Sequence, residues 1–195
     1  MVAEGSETKP SAGHLPGEAG VWVMIAGDMV VFAVFFATFM VYRRTEPTLY
    51  ASSAATLSQP IALINTLLML SSSWFVARAV GVVRSRTGGS AVPMLFGAIA
   101  CGLGFVAMKA VEYSEKIDAG VGLTTNMFYT FYFMLTGIHL LHVLIGIAVL
   151  IYLSLRLRRP GWSGADVVAA ETGASFWHLV DLLWIFLFTL LYLVA

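Results

Sequence analysis

Six ionisable residues, Asp28, Glu112, His139, His142, His178 and Asp181, fall within or near the ends of long apolar runs of this chain. Such groups are costly in hydrocarbon, so each is a functional-site candidate by default. Their spacing suggests pairs. His139 and His142 stand three apart, as do His178 and Asp181, and Glu112 and Glu115; on a helix each pair shares a face. A carboxylate beside an imidazole can fix its tautomer, which suits Asp181 with His178. Lys109, one turn before Glu112, can pair with it across the helix surface.

Three chemistries are open to the histidines. A metal centre would need His139, His142, His178 and Asp181 to converge as ligands. A haem would need an axial histidine on an open face, and two histidines one turn apart do not serve one iron. The third reading is structural: these groups bond between helices or to lipid headgroups, holding the helices in register at roughly 1 kcal/mol each. We take that reading and expect no catalytic residue, metal or cofactor in the chain itself. Asp28 must be protonated, paired or beside water. An inter-helix hydrogen bond and a proton- or lipid-related role are both open for it. No phosphate loop, nucleophile elbow, zinc-protease helix or dinucleotide fingerprint occurs in the sequence.

The elements that carry these residues are membrane spans. Apolar segments near 20–42, 60–83, 91–113, 126–155 and 174–195 are each long enough to cross a bilayer, which takes about 20 residues. The connections are then 43–59, 84–90, 114–125 and 156–173, with Pro60 and Pro93 at helix starts and Pro160-Gly161 closing the fourth helix. Gly137 and Gly146 flank the paired histidines and permit close helix approach. Trp22, Trp74, Trp162 and Trp177 are expected at the membrane interfaces and Trp184 in the packing. The aromatic run 127–134 reads as lipid contact and helix packing, with an acyl-chain or cofactor groove as the alternative. Cys101 reads as a small packing residue.

Composition agrees. Of 195 residues 59% are hydrophobic and 11% charged, and the mean hydropathy is +0.86, far from a soluble domain. The formal net charge is zero, so no field points to nucleic acid. A polar tail over 1–19 lacks the pattern of a cleavable signal, and the first span acts as its own insertion signal. Residues 20–195 then form a single five-helix domain with no room for a soluble catalytic module. Lys9, Arg78, Arg84, Arg86, Arg156, Arg158 and Arg159 lie on one side, and Arg43, Arg44, Lys109 and Lys116 on the other. The first side should be cytoplasmic, which puts the N-terminus inside.

Four motifs, in order, resemble subunit III of the haem–copper cytochrome c oxidases. Leu63-Ile64-Asn65-Thr66 resembles its LLNT element, and Glu112-Tyr113-Ser114-Glu115 its EYxE element. Gly137-Ile138-His139-Leu140-Leu141-His142-Val143 resembles its GxHxxHVxxG segment, and Trp177-His178-Leu179-Val180-Asp181 its closing helix. The five-span length matches the short form of that family. The resemblance implies an all-α membrane protein whose first two helices form one group and last three another, with phospholipid between. It implies a non-catalytic subunit of a multi-pass complex in the prokaryotic cell membrane. That subunit would pack on the catalytic subunit I, which holds the haem and copper, and support proton uptake in aerobic respiratory electron transport. Glu112, His139, His142, His178 and Asp181 would then be lipid-headgroup or inter-helix contacts, and Asp28 a proton-related candidate. Two positions depart from the pattern: Gly27-Asp28 replaces a Ser-Glu pair, and Lys109 stands where the family often has Gln. The opening Leu15-Pro16-Gly17-Glu18-Ala19-Gly20-Val21-Trp22 with Gly27-Asp28-Met29 is similar to a divergent branch, the subunit-III-like accessory proteins of nitric oxide reductase clusters. A small proton channel or transporter built on Asp28 and Glu112 is the alternative from another class.

Overall fold

The computed structural model describes residues 18–85, 90–159 and 161–194. Most of the polar tail, with Lys9 and Leu15-Pro16-Gly17, and also Arg86 and Pro160, lie outside the described residues. Among the described residues there are helices and no strand. The helices are α1 (Ala19–Thr45), α2 (Pro47–Ala54), α3 (Gln59–Ser85), α4 (Val92–Asp118), α5 (Met127–Arg156) and α6 (Gly164–Phe188). A π-helical turn, Thr189–Leu193, continues α6. Five of these are long and apolar enough to cross a membrane: α1, α3, α4, α5 and α6 with its π turn.

Local chemistry sets several boundaries. Pro47 and Pro93 occupy first-turn positions of α2 and α4, where a missing N–H costs little. Asn126 caps α5 by accepting from the Tyr129 amide at 3.0 Å. Gly120 (φ 74°) and Gly161 (φ 84°) take left-handed backbone just past α4 and α5.

The last span begins ten residues before the expected 174. Ser163 and Asp166 form a capping box, each side chain bonding the other's backbone amide. The polar turns that follow are satisfied by Arg84, which pairs with the buried Glu171. A hydropathy reading starts too late there because these turns are paired rather than apolar. The first connection is also not a simple loop. In α2, Tyr50 is fully buried with its ring against Phe39 (5.1 Å) and Phe128 (5.6 Å). That helix is pinned to α5 by Asn126 donating to Ser53 Oγ at 3.1 Å and by the Thr56–Tyr129 hydroxyl pair at 2.7 Å.

Helices α3 and α5 each pack on both α4 and α6, so these four form a closed bundle. Helix α1 makes its main contacts with α5 and α6 instead of with α3. The expected grouping of the first two spans against the last three is therefore not the arrangement of these helices. Close approach between α5 and α6 depends on Gly146. A Cβ there would lie 2.6 Å from Trp177 Cε3, well inside van der Waals contact. Gly137, also expected to allow close approach, has open space at its Cβ position. Trp177 is fully buried rather than interfacial, because the early start of α6 moves it to mid-helix. The aromatic run at the start of α5 turns mostly inward, with Phe128, Tyr129, Phe131 and Tyr132 buried.

The glutamate amide that opens α1 donates to Thr172 Oγ1 in α6 at 3.0 Å. With the Arg84–Glu171 and Arg156–Asp166 pairs this marks one end of the bundle. Lys116 donating to the Thr56 carbonyl, and Gln59 to the Tyr192 carbonyl at 3.1 Å, mark the other. The chain crosses between these ends an odd number of times.

Candidate functional site

Inside the four-helix bundle, α4 contributes Lys109 and Glu112, and both side chains are 1% exposed. Lys109 Nζ donates to Glu112 Oε2 at 2.8 Å and to the Tyr192 hydroxyl at 2.8 Å. Tyr192 in turn donates to Glu112 Oε1 at 2.6 Å, so three groups close a ring of charge-assisted bonds. The ammonium also faces the rings of Tyr132 (5.0 Å) and Trp184 (5.3 Å). Tyr192 reaches this point from the π turn. Its backbone carbonyl accepts from Gln59 Nε2, which fixes that turn to α3.

Directly beside this ring lies His139, fully buried. Its imidazole stacks on Trp184 at 5.5 Å and meets the edge of Phe105 at 5.6 Å. Trp184 Nε1 donates to Thr66 Oγ1 at 3.0 Å. Neither nitrogen of His139 and neither side-chain polar atom of Asn65 has a hydrogen-bond partner among the described residues.

His142, one turn on, faces outward to α1 instead of sharing the surroundings of His139. Its Nε2 lies 3.4 Å from Asp28 Oδ2, and its Nδ1 is 2.8 Å from the Ile138 carbonyl. A carbonyl only accepts, so Nδ1 carries a hydrogen. Asp28 of α1 and His142 of α5 thus face each other across two spans.

The third cluster joins α3 and α6. Ser73 Oγ is 2.7 Å from His178 Nδ1, and Asp181 Oδ2 is 3.4 Å from the same nitrogen. So the six candidate residues fall into three separate places, and among the described residues no three His, Cys, Asp or Glu groups could together hold a metal ion. Sequence spacing brought Lys109 to Glu112 and His178 to Asp181. It did not reveal Tyr192, Tyr132 or Ser73, whose hydroxyls sit on distant segments and carry no local motif.

Comparison with known proteins follows the same helices. The sequence model of the family cytochrome c oxidase subunit III matches residues 16–195. The chain belongs to the cytochrome c oxidase subunit III family. It is 28% identical over 193 residues to cytochrome c oxidase subunit 3 of Synechocystis sp., covering 92% of this chain and 82% of that protein. The subunit 3 of Alkalihalophilus pseudofirmus cytochrome c oxidase is 27% identical, with 100% and 96% covered. A quinol oxidase subunit 3, from Bacillus spizizenii, is 30% identical, with 90% and 86% covered. As a member of the subunit III family, this chain places its polar clusters within a five-span membrane bundle.

Proposed function

We propose that the chain is the accessory subunit III of a haem–copper respiratory oxidase in the cell membrane. It packs on the catalytic subunit I, which holds the haem and copper, and supports proton uptake there. The observation that carries this reading is the family match running through all five spans. The side chains favour it: the ionisable groups of the spans mostly bond to one another, which suits assembly and register more than turnover. The relatives include both cytochrome c and quinol oxidases, so the electron donor is either cytochrome c or a quinol.

Two features give the accessory role content. The Asp28–His142 pair can hold a proton at the edge of the bundle, between α1 and α5. A groove of about 410 Å³ runs between α1, α5 and α6, lined by Val21, Ile145, Val149 and Phe176. Tyr152 joins it to a polar recess at Arg156 and Arg159. That combination fits a phospholipid, with an acyl chain in the groove and its phosphate at the arginines.

The test is recovery of the tagged chain from native membranes in gentle detergent, followed by visible spectra and mass spectrometry. Co-purification with a haem–copper, oxygen-consuming complex is the expected result, and assays with reduced cytochrome c and with quinol identify the donor. Recovery with a nitric oxide reductase would move the chain to the accessory branch of that enzyme. A colourless chain that conducts protons alone would overturn both readings in favour of a channel.

A further inference from the structure

We propose that the four-helix bundle encloses a water site bonded to His139 of α5 and Asn65 of α3, beside the Lys109–Glu112–Tyr192 ring. The site lies within this chain, so it stands whichever complex the chain joins.

Trp184 sets its place. The indole Nε1 donates to Thr66 Oγ1 of α3 at 3.0 Å. The indole ring meets Phe105 of α4 at 4.7 Å and stacks on His139 of α5 at 5.5 Å. One side chain of α6 thus gathers α3, α4 and α5 at a single level. Asn65 precedes Thr66 and lies on the buried stripe of α3 with Met69 and Ser72. Ser72 Oγ donates to the Ala98 carbonyl of α4 at 2.9 Å. Asn65 stands two turns before Ser72, and Phe105 two turns after Ala98. The two helices run antiparallel, so Asn65 comes to the level of Phe105, whose ring His139 meets at 5.6 Å.

Asn65 and His139 are both fully buried. Both imidazole nitrogens and both polar atoms of the amide lack a hydrogen-bond partner among the described residues. The polar groups around them are committed elsewhere. The Thr66 hydroxyl donates to the Ala62 carbonyl at 2.9 Å while it accepts from Trp184. Lys109 Nζ is taken by Glu112, Tyr192 and Tyr132. Buried polar groups in folded proteins are nearly always bonded, to protein or to ordered water.

The kind of ligand follows from the mixture of groups. Whichever way its amide is turned, Asn65 offers N–H donors and a carbonyl acceptor together. A cation would be met by acceptors alone and an anion by donors alone. Water gives and takes hydrogen bonds at once, and a buried water typically makes about three. None of this depends on which nitrogen of His139 carries a hydrogen.

The test is solid-state NMR of the isotope-labelled full chain in lipid bilayers, with magnetisation transferred from water protons to the protein. His139 and Asn65 are assigned through their backbone resonances. Transfer is expected at short mixing times to the His139 imidazole and the Asn65 amide. None is expected to the methyl groups of Leu150, a residue of α5 that is just as buried. Asn65→Leu should at least halve the transfer to His139, because it removes one of the groups that hold the water. A folded chain in which neither side chain receives magnetisation from water overturns the site. A direct hydrogen bond between Asn65 and His139 without transfer from water does so too. Equal transfer to Leu150 would mean that bulk water penetrates the bundle, and unchanged transfer to His139 in Asn65→Leu would mean that the two residues share no site; either result overturns the proposal. The parent chain carries the main measurement, so a variant that fails to fold leaves it decisive.

Discussion

Lys109 and Glu112 bond to each other where both side chains are 1% exposed, so each depends on the other. Removing one partner of a buried pair costs about 3–5 kcal/mol, whereas replacing both with apolar groups is often nearly neutral. Lys109→Met should therefore destabilise the bundle by that amount, while Lys109→Met with Glu112→Leu should recover most of it. Unfolding in mixed micelles of increasing SDS content measures both; a single variant as stable as the parent would show that Glu112 does not rely on the ammonium. Asp28 poses a different question, because its contact with His142 turns on a proton. Asp28→Asn keeps the size of the side chain but cannot hold that proton as a carboxylate does. Assembly should be unchanged, and oxygen consumption of the complex should decay during sustained turnover while the parent holds its rate. Normal assembly with undiminished sustained turnover would remove proton support from the role of Asp28.

At the scale of elements, the α5–α6 contact depends on a glycine. Gly146→Ala forces its methyl into the fully buried Trp177 ring, and overpacking of this kind costs about 1–3 kcal/mol. Gly137→Ala meets nothing and should be neutral or stabilising by up to about 1 kcal/mol through helix propensity. Melting temperatures of the two variants in detergent should thus move apart. Equal effects would mean that Trp177 yields. The start of α6 tests the capping box in the same way: Ser163→Ala removes the side-chain half of the cap and should cost about 1 kcal/mol.

For the whole molecule, the two ends of the bundle differ in charge and should differ in sidedness. Arg84, Arg156, Arg158 and Arg159 belong to one end, with the start of α1. The positive-inside preference predicts that this end faces the cytoplasm. Single cysteines replacing Arg159 and Asp118, in a chain whose Cys101 is serine, report this with a membrane-impermeant thiol reagent. The Asp118 position should label in intact spheroplasts, and the Arg159 position only after permeabilisation. The reverse pattern would invert the topology.

Much of this protein was legible in its sequence. Spans are set by the length of apolar runs, and the i, i+3 pairs Lys109–Glu112 and His178–Asp181 follow from helical angle alone. The four ordered motifs pointed to the subunit III family before any helix was placed. What the sequence left open lies across helices. The spacing of His139 and His142 says they are near one another, but rotation of α5 in the bundle decides that one faces Trp184 and the other Asp28. Tyr192 meets Lys109 across 83 positions of chain, a contact that no local pattern encodes. The early start of α6 and the place of α1 beside α5 and α6 have the same origin. Hydropathy ranks segments by their affinity for lipid, whereas ion pairs such as Arg84–Glu171 and close contacts such as Gly146–Trp177 decide how those segments meet.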